Sequence, residues 1–423
     1  MEYRKRYADT VLRDKLEAKG AVLVEGAKWC GKTTTSRQVA QSALYMQDPA
    51  RKNQNLQLAD TAPDLLLQGA TPRLIDEWQL APKLWDAVRF EVDKRDEFGQ
   101  FILTGSAVPP DTSEISHSGT GRVSRMLMRP MSLLESGDSN GKVSLARLFD
   151  PEHEVAADAD CDLKKLAFLI CRGGWPKAVG LSERIALRQA IDYCDAVAES
   201  DISRVDGKAR NPERARKLLR SYSRNIGSQA KFEAIRKDIL GNDVESFGIE
   251  TLYDYVNALK RIFVIEDAPA WNPNLRSRTA IRTTDTRYFV DPSIATAALG
   301  LAPDDLVGDL ETMGFLFENL CVRDLRIYSQ SIDGRVYHYR DRNGMECDAV
   351  VHLRNGSYGL IEIKLGGDRL VEEGAATLRA LEQILDLGKM KRPSFKMVLV
   401  GTGGYAYRRK DGVLVVPAAS LGA

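Results

Sequence analysis

One short string near the start of the chain constrains its fold more than any other feature. The string fits G-x-x-x-x-G-K-[ST] and reads Gly26-Ala27-Lys28-Trp29-Cys30-Gly31-Lys32-Thr33. It follows an apolar run, residues 20–25, that predicts a buried strand, and it leads into residues 32–40, which predict a helix. The two glycines let the backbone turn tightly, so that its N–H groups face an anion at a helix start. The sequence therefore predicts a phosphate-binding α/β domain.

The polar residues of this loop have expected roles in holding a nucleoside triphosphate. Lys32 should reach the β- and γ-phosphates, and the Thr33 hydroxyl should ligate Mg²⁺. ATP and Mg²⁺ are the predicted cofactors. The expected nucleotide contacts are Gly26, Ala27, Lys28, Trp29, Cys30, Gly31, Lys32, Thr33 and Thr34. Cys30 is interpreted as a small filler residue, and the alternative is a thiol whose oxidation blocks binding.

Two later apolar strands should bring further polar groups to the same site. Residues 74–77 end in two acids, of which Asp76 would hold Mg²⁺, mostly through water, and Glu77 would polarise the attacking water. Residues 101–106 predict another buried strand with hydroxyl groups at its tip. Ser106 lies there, where a sensor of the γ-phosphate is expected.

Two arginines follow in a loop rich in serine and glycine. Arg122 or Arg125 is a candidate arginine finger, which would stabilise transition-state charge on the nucleotide of a neighbouring copy. The alternative is an arginine that only forms a surface salt bridge. A finger role would require a homo-oligomer, and the sequence leaves the oligomeric state open.

Taken in order, these motifs resemble a widespread prokaryotic group of AAA+-like ATPases. Besides the loop, the matching strings are Ile75-Asp76-Glu77, Leu103-Thr104-Gly105-Ser106, Gly121-Arg122, Arg129-Pro130-Met131-Ser132-Leu133-Leu134-Glu135 and Gly173-Gly174-Trp175-Pro176. The resemblance implies an α/β sheet with a helical lid and a C-terminal domain of unknown function. The chain departs from the group's pattern at Lys28, where Arg is usual, and at Cys30, where an aliphatic residue is usual.

A second group of charged residues lies near the other end of the chain. Asp348 precedes an Asn-Gly turn signal, and Glu362 and Lys364 follow it, which predicts a β-hairpin with the two acids level. Because strand side chains alternate, Glu362 and Lys364 share one face. Asp348 and Glu362 would then hold Mg²⁺ together, with Glu318 from an upstream helix as a further carboxylate, while Lys364 orients or deprotonates water.

This second pattern is similar to the restriction-endonuclease-like superfamily, whose PD-(D/E)xK motif is an acid, a hairpin and an acid-x-lysine. The resemblance implies an α/β nuclease-like domain at the C-terminus. The alternative is an ordinary hairpin with surface charges. Whether a domain of this fold would cut nucleic acid stays open at this point.

The pattern of predicted elements in the middle of the chain is typical of a winged helix-turn-helix. Its third helix runs from Thr251 to Leu259, and its wing strands lie at 263–265 and Ile281. Residues 204–237 hold eleven Lys or Arg against three acids. A second basic stretch consists of Arg276, Arg278, Arg282 and Arg287. DNA is therefore a predicted partner, through phosphate contacts, and a pure protein-interaction module is the alternative.

Bulk properties set the remaining limits. The 423 residues carry a net charge of +1, and no apolar run is long enough to cross a bilayer. The start of the chain has no secretory pattern, and the six cysteines have no C-x-x-C spacing, so a zinc site or disulfide framework is not expected. We expect a cytoplasmic protein that does not act in a membrane.

The fold class that follows is α/β in four consecutive parts. They are a P-loop ATPase domain (1–150), a helical lid and connector (151–211), a winged helix (212–287) and a restriction-endonuclease-like domain (288–423). The functional hypothesis is a Mg-dependent ATP-hydrolysing protein that couples nucleotide state to a nuclease-like domain facing nucleic acid. Its alternative is an ATP-switched interaction or DNA-binding regulatory protein with an inactive nuclease-like domain.

Overall fold

The structure is a computed structural model that describes residues 3–107, 118–241, 247–272, 284–387 and 390–423. Its internal contacts divide the chain into two compact units. The first unit contains Met1–Pro130, Glu199–Arg210 and Asn257–Val264. The second contains Met131–Ala198, Asn211–Val256 and Ile265–Ala423. Two short stretches from the middle of the chain thus pack with the first unit, and the four consecutive parts expected from the sequence stay a prediction.

The first unit is built on a five-stranded parallel sheet of order β2-β3-β4-β1-β5. The strands are β1 Ala21–Glu25, β2 Ser42–Tyr45, β3 Arg73–Asp76, β4 Phe101–Gly105 and β5 Val123–Leu127. The helices are α1 Tyr7–Ala18, α2 Lys32–Arg37, α3 Lys52–Thr61, α4 Pro63–Leu66 and α5 Leu84–Arg95. The predicted strand–loop–helix is confirmed, although α2 ends three residues before the expected Ala40.

The central strands are apolar throughout because both faces of the sheet are covered. Leu23 of β1 points to one face, where it packs in a cluster with Trp85 and Val88 of α5. Val22 points to the other face and packs in a second cluster with Leu12 of α1. This double burial fixes β1 in the interior of the sheet, and the P-loop follows directly from its carboxyl end.

The second unit contains a seven-stranded mixed sheet of order β7-β12-β13-β11-β10-β9-β8. The strands of this sheet are β7 Ala157–Asp158, β8 Gly334–Arg340, β9 Glu346–Leu353, β10 Tyr358–Lys364, β11 Phe395–Val400, β12 Tyr405–Arg408 and β13 Leu414–Pro417. A separate short pair consists of β6 Val143–Ser144 and β14 Leu421–Gly422. The expected hairpin is confirmed as β9–β10.

Helices complete the chain. After α5 they are α6 Leu133–Ser136, α7 Leu163–Arg172, α8 Glu183–Ala196, α9 Ile202–Arg204, α10 Pro212–Ser223, α11 Phe232–Leu240, α12 Ile249–Arg261, α13 Ser293–Leu299, α14 Pro303–Gly308, α15 Leu310–Gln330 and α16 Asp368–Ile384. α15 and α16 pack on the mixed sheet, and apolar side chains of α16 join Val350 and Val398 in its core.

The two helices expected to form a lid over the nucleotide, α7 and α8, belong to the second unit and pack against α13. The helical segment that begins at Glu183 is interrupted. α8 ends at Ala196, and a π-helical turn, Val197–Asp201, precedes the short α9.

Three helices, α10, α11 and α12, lie where the winged helix was predicted. They are followed by two isolated antiparallel bridges, Ile265 with Phe289 and Ala268 with Thr286, rather than by regular wing strands. The expected wing residue Ile281 lies outside the described residues. The winged helix therefore stays a prediction.

Two general features bear on the environment of the chain. Across the part of the chain that the structure describes, no helix combines the length and apolar character needed to span a membrane. All six cysteines are buried free thiols.

Candidate functional site

The backbone of the P-loop requires glycine at both of its ends. Gly26 has φ 152° and Gly31 has φ 105°, values that residues with a side chain rarely adopt. A Cβ atom on Gly26 would lie 2.1 Å from the carbonyl oxygen of Met128. The loop therefore depends on the absence of a side chain at this position.

Lys32 is turned back into the loop. Its side chain is buried, and Nζ donates hydrogen bonds to the carbonyl oxygens of Gly26 at 2.9 Å and Ala27 at 2.8 Å. These acceptors are neutral. A phosphate group is a stronger partner for an ammonium group because it is charged, so it can replace them.

The predicted magnesium-binding pair is assembled. Thr33 Oγ1 donates to Asp76 Oδ1 at 2.7 Å, and Thr104 Oγ1 donates to the same oxygen at 2.6 Å. Asp76 is buried, and the register of β3 and β4 places Thr104 directly beside it. A hydroxyl and a carboxylate are ligands that Mg²⁺ prefers, so the donor set fits this ion. Thr104 had no predicted role of its own, although it lies in the strand-tip string.

Glu77 also lies with its predicted neighbour. Ser106 Oγ donates to Glu77 Oε2 at 3.1 Å, and Gln79 Nε2 donates to the same oxygen. Glu77 has φ 58°, in the left-handed region, because the chain turns sharply after β3 into a short 3₁₀ helix. The turn places the Glu77 carboxylate beside the tip of β4. Gln79 had no motif that could have indicated it.

The other loop residues have different surroundings. Lys28 Nζ lies 2.5 Å from Asp201 Oδ1, a contact that the sequence does not predict. Trp29 is exposed and has φ 65°. Cys30 is fully buried, and its Sγ contacts the carbonyl oxygen of Met128 at 3.4 Å. This burial favours the filler interpretation of Cys30 over an oxidisable thiol.

Both finger candidates are engaged in ion pairs within the first unit. Arg122 Nε lies 2.7 Å from Asp93 Oδ1, just before the amino end of β5, whereas the P-loop follows the carboxyl end of the adjacent parallel β1. Arg125 Nη1 lies 3.0 Å from Glu25 Oε1, and its guanidinium stacks over Trp85. Arg122 is thus at the opposite edge of the sheet from the nucleotide loop of its own chain. A finger role remains a prediction for a second copy.

In the second unit, the hairpin brings the acid and the acid-x-lysine together. The register pairs Ile361 with Ala349, so Glu362 lies next to Asp348 across the two strands. Lys364 Nζ lies 2.7 Å from Glu362 Oε2 and 3.2 Å from Asp348 Oδ2. The backbone N–H of Ile363 also donates to Asp348 Oδ2, at 2.7 Å. These three charged side chains form one cluster.

Glu318 of α15 adjoins this cluster. The hydroxyl of buried Tyr288 donates to Glu318 Oε1, a contact that no sequence motif indicated. Burial, then the charges of Asp348 and Glu362, raise the pKa of Glu318 well above its usual value. Burial and Asp348 also raise the pKa of Glu362 to about 8. Burial would lower the pKa of Lys364, but Asp348 and Glu362 outweigh it and raise that pKa.

The cluster meets some requirements of a cation site and lacks others. Glu362 Oε1 is buried without a hydrogen-bond partner, which suits a bound cation. However, the Lys364 ammonium bridges Asp348 and Glu362. Among the described residues, no three His, Cys, Asp or Glu side chains are grouped as metal ligands. The expected ligands Glu318, Asp348 and Glu362 are neighbours, but they are not arranged around one ion.

Two of the predicted DNA-contacting arginines are buried, whereas the other ten basic residues of 204–237 are exposed or half-buried. Arg287 is buried, pairs with Asp267 at 2.8 Å and packs over Phe232, so it is not available for phosphate contacts. Arg210 is also buried and pairs with Asp206 at 2.7 Å. These basic side chains are internal structural groups, because each is neutralised by an adjacent acid. Arg276, Arg278 and Arg282 lie outside the described residues.

Sequence families match three consecutive parts of the chain. Residues 18–136 match the AAA domain, residues 163–305 match a domain of unknown function (DUF8612), and residues 313–421 match a second domain of unknown function (DUF4143). The AAA match contains the P-loop, Asp76, Glu77 and Thr104. The first unit thus carries an ATPase-like AAA domain in a mixed α/β fold, which indicates ATP binding and hydrolysis.

Relatives that match nearly the whole chain occur in mycobacteria. Uncharacterized proteins of Mycobacterium tuberculosis and Mycobacterium bovis are each 25% identical over 423 residues, which is 99% of this chain and 84% of theirs. A solved Walker-type ATPase of Pyrococcus abyssi is 15% identical, with 70% of this chain and 96% of that chain covered and a TM-score of 0.44. At that score, the likeness to the solved structure carries no argument about function. The conclusion rests on the AAA match and on the geometry of the loop.

Proposed function

We propose that this protein is a Mg-dependent ATPase whose nucleotide state is coupled to a nuclease-like unit that faces nucleic acid. The observation that carries the ATPase part is the shared bonding of Thr33 and Thr104 to Asp76 beside the Lys32 loop. This network joins the P-loop to two strand tips. The bond between Thr33 and Asp76, the two expected ion ligands, supports a shared role in holding Mg²⁺.

Each residue of the site would then have its own role in ATP hydrolysis. Bound Mg²⁺ supplies charge neutralisation on the phosphate oxygens, and Thr33 and Asp76 would hold it. Lys32 exchanges its carbonyl partners for phosphate oxygens. Glu77 orients a water molecule and accepts its proton, while Ser106 and Gln79 hold the Glu77 carboxylate in place. Ser106 is also the proposed sensor of the γ-phosphate.

Nucleotide binding and turnover by the purified full chain test this part of the proposal. We expect Mg-dependent release of phosphate from ATP by the unaltered protein and its loss in Lys32→Ala. A matched control is Lys15→Ala, which removes a lysine of α1 that bonds Ser124. Equal turnover by Lys32→Ala and the unaltered protein would contradict the proposal.

For the second unit we propose a nuclease-like role in which DNA is the partner. The support is the clustering of Asp348, Glu362 and Lys364 on one hairpin, with Glu318 and its raised pKa beside them. A divalent ion held by Asp348 and Glu362, next to the unpartnered Glu362 Oε1, would polarise a phosphodiester. Displacement of the Lys364 ammonium from between the two acids would leave it beside the attacking water.

A second candidate function is favoured by one observation. Lys364 pairs directly with both acids, and among the described residues no set of three metal ligands occurs. These features suit an inactive nuclease-like scaffold in an ATP-switched interaction or DNA-binding regulatory protein. Supercoiled and linear DNA incubated with the protein, ATP and Mg²⁺ or Mn²⁺ separates the two candidates. New DNA ends support a nuclease, whereas salt-sensitive binding without new ends supports the regulator.

A further inference from the structure

The P-loop carries an ion pair that joins it to a distant part of the chain. Lys28 Nζ lies 2.5 Å from Asp201 Oδ1, although the two residues are 173 positions apart. Both belong to the first unit. The Asp201 side chain is only 10% exposed, whereas that of Lys28 is 43% exposed. Removal of Lys28 would leave a poorly hydrated, uncompensated charge at Asp201, which costs more than the loss of an ordinary surface contact.

Asp201 occupies an unusual position in the backbone. It is the last residue of the π-helical turn Val197–Asp201. Such turns are rare and frequently mark functional sites. The chain leaves the second unit at Ala198 and enters the first at Glu199, within this same turn. Asp201 is therefore anchored to the nucleotide loop at the point where the chain enters the first unit.

The residues after Asp201 are held together by contacts of their own. Arg210 pairs with Asp206 at 2.7 Å and donates to the carbonyl oxygen of Ile202 at 2.7 Å. The backbone N–H of Arg210 also donates to Ser203 Oγ at 2.9 Å. These contacts do not use the Asp201 carboxylate. Its bond to Lys28 therefore attaches the start of the segment, residues 199–210, to the P-loop. Buried Ile202 and Val205 hold the rest of the segment in the first unit.

Both lysines of the loop are occupied by oxygen atoms of the protein itself. Lys32 bonds the carbonyls of Gly26 and Ala27, and Lys28 bonds the carboxylate of Asp201. A triphosphate that enters this loop carries several negative charges close to Lys28. It therefore competes with Asp201 for the same ammonium group.

We propose that Asp201 is a nucleotide-responsive positioning residue. Its pair with Lys28 holds segment 199–210 on the P-loop in the absence of ATP, and the phosphates of ATP draw Lys28 away and loosen that segment. This inference rests on the proposed ATPase function, because it needs ATP in the loop. ATP binding and the breaking of the Lys28–Asp201 pair are thermodynamically linked. Loss of the pair must therefore strengthen ATP binding by the same free energy by which the pair weakened it.

Asp201→Asn tests the pair with little change in shape. We expect it to tighten ATP binding about 5- to 10-fold, in the lower part of the usual range of coupling between sites. Hydrogen exchange of segment 199–210 should rise on addition of ATP in the unaltered protein. In Asp201→Asn it should be high already and should not respond to ATP. Asp195→Asn, which removes an exposed acid of α8, is the matched control and should behave as the unaltered protein.

A second variant approaches the pair from its more exposed side. Lys28→Met should raise exchange of segment 199–210 without ATP, even if Asp201→Asn folds poorly. In the double variant, Asp201→Asn should have no further effect on ATP affinity, because its partner is already absent. An aspartate that only stabilised the fold would not produce these results, because they require Asp201 and Lys28 to act as a pair.

The outcomes separate this inference from the proposed function. If the unaltered protein binds no ATP, the proposed function fails and the inference fails with it. If ATP binds but exchange of segment 199–210 does not change, the positioning role alone is wrong. Weaker or unchanged ATP binding by Asp201→Asn would also overturn it, because the pair would then support the bound state or be indifferent to it.

Discussion

The Thr33 hydroxyl donates a 2.7 Å hydrogen bond to Asp76, and this bond joins the nucleotide loop to the tip of β3. A loop and a strand that are 43 residues apart in the chain thereby share one oxygen. Thr104 on the adjacent strand donates to that same oxygen, so the Asp76 carboxylate is held from two sides. The expected magnesium ligands are thus positioned by bonds between elements rather than by the loop alone.

Thr104→Val should reduce the catalytic rate through the position of Asp76. The substitution keeps the shape of the side chain and removes one donor to a buried carboxylate, at a cost of about 1–3 kcal/mol. We expect a fall in kcat of about 10-fold and a higher Mg²⁺ requirement, with little change in ATP affinity measured without Mg²⁺. The measurement is phosphate release across a Mg²⁺ titration. An unchanged Mg²⁺ dependence would show that Thr104 does not position Asp76.

Glu77→Gln should retain nucleotide but lose hydrolysis. The amide keeps the size of the side chain and cannot accept a proton from water, so we expect kcat to fall about 10²- to 10⁴-fold. ATP binding by calorimetry should be close to that of the unaltered protein. Glu17→Gln, at an exposed position of α1, is the control for a lost carboxylate. Rapid turnover by Glu77→Gln would refute its role as the base.

Gly26→Ala should damage the loop by two independent effects. Its φ of 152° is strained for alanine, and the new Cβ would lie 2.1 Å from the Met128 carbonyl oxygen. We expect lost ATP binding and a decrease of about 1–3 kcal/mol in the free energy of unfolding. Gly314→Ala is a useful contrast, because Gly314 lies inside α15 with open space around it. That variant should be more stable than the unaltered protein, by about 0.5–1 kcal/mol.

Glu362 should make the second unit less stable as pH rises. Burial and Asp348 raise the pKa of this carboxyl to about 8 in the fold, above its value in the unfolded chain. The folded state therefore binds the extra proton between the two pKa values, and its free energy of unfolding falls as pH increases through this window to about 8. The free energy of unfolding, measured with urea at a series of pH values, should change less with pH in Glu362→Gln than in the unaltered protein. The same slope in both proteins would contradict the raised pKa.

If DNA is cut, Asp348→Ala and Lys364→Ala should each stop the cutting and leave ATP turnover unchanged. Each variant removes one member of the cluster in the second unit and does not touch the P-loop. DNA ends are counted by gel analysis with Mn²⁺, and phosphate release is measured in the same samples. Arg354→Ala, which removes a highly exposed cation of the β9–β10 turn, is the control. Cutting that survives both changes would place the activity elsewhere or in a contaminant.

The hairpin shows how much of the second site could be predicted from the sequence. The Asn-Gly signal and strand alternation sufficed to bring Asp348, Glu362 and Lys364 together, because both depend only on local geometry. The same reasoning could not give Tyr288, whose hydroxyl bonds Glu318. Tyr288 lies in no regular element, and only the packing of the unit brings it to α15.

The burial of two basic residues shows what the sequence could not predict. A count of charges along the chain predicted a patch for DNA, which stays a prediction, but it could not show that Arg287 and Arg210 are buried beside Asp267 and Asp206. Charge density in a sequence does not say which way a side chain points. An arginine can be buried when an acid lies beside it, as Asp267 does for Arg287 and Asp206 for Arg210.

The sequence by itself determined the strand–loop–helix of the nucleotide site, since two glycines, a lysine and a threonine at fixed spacing leave the backbone few alternatives. It also determined the hairpin that carries the acid-x-lysine. Only the tertiary structure decided that Thr104 and Gln79 support the two acids, that α7 and α8 belong to the second unit, and that Asp201 reaches Lys28. The physical reason is that local motifs set short-range geometry, whereas pairing between distant residues depends on how whole elements pack.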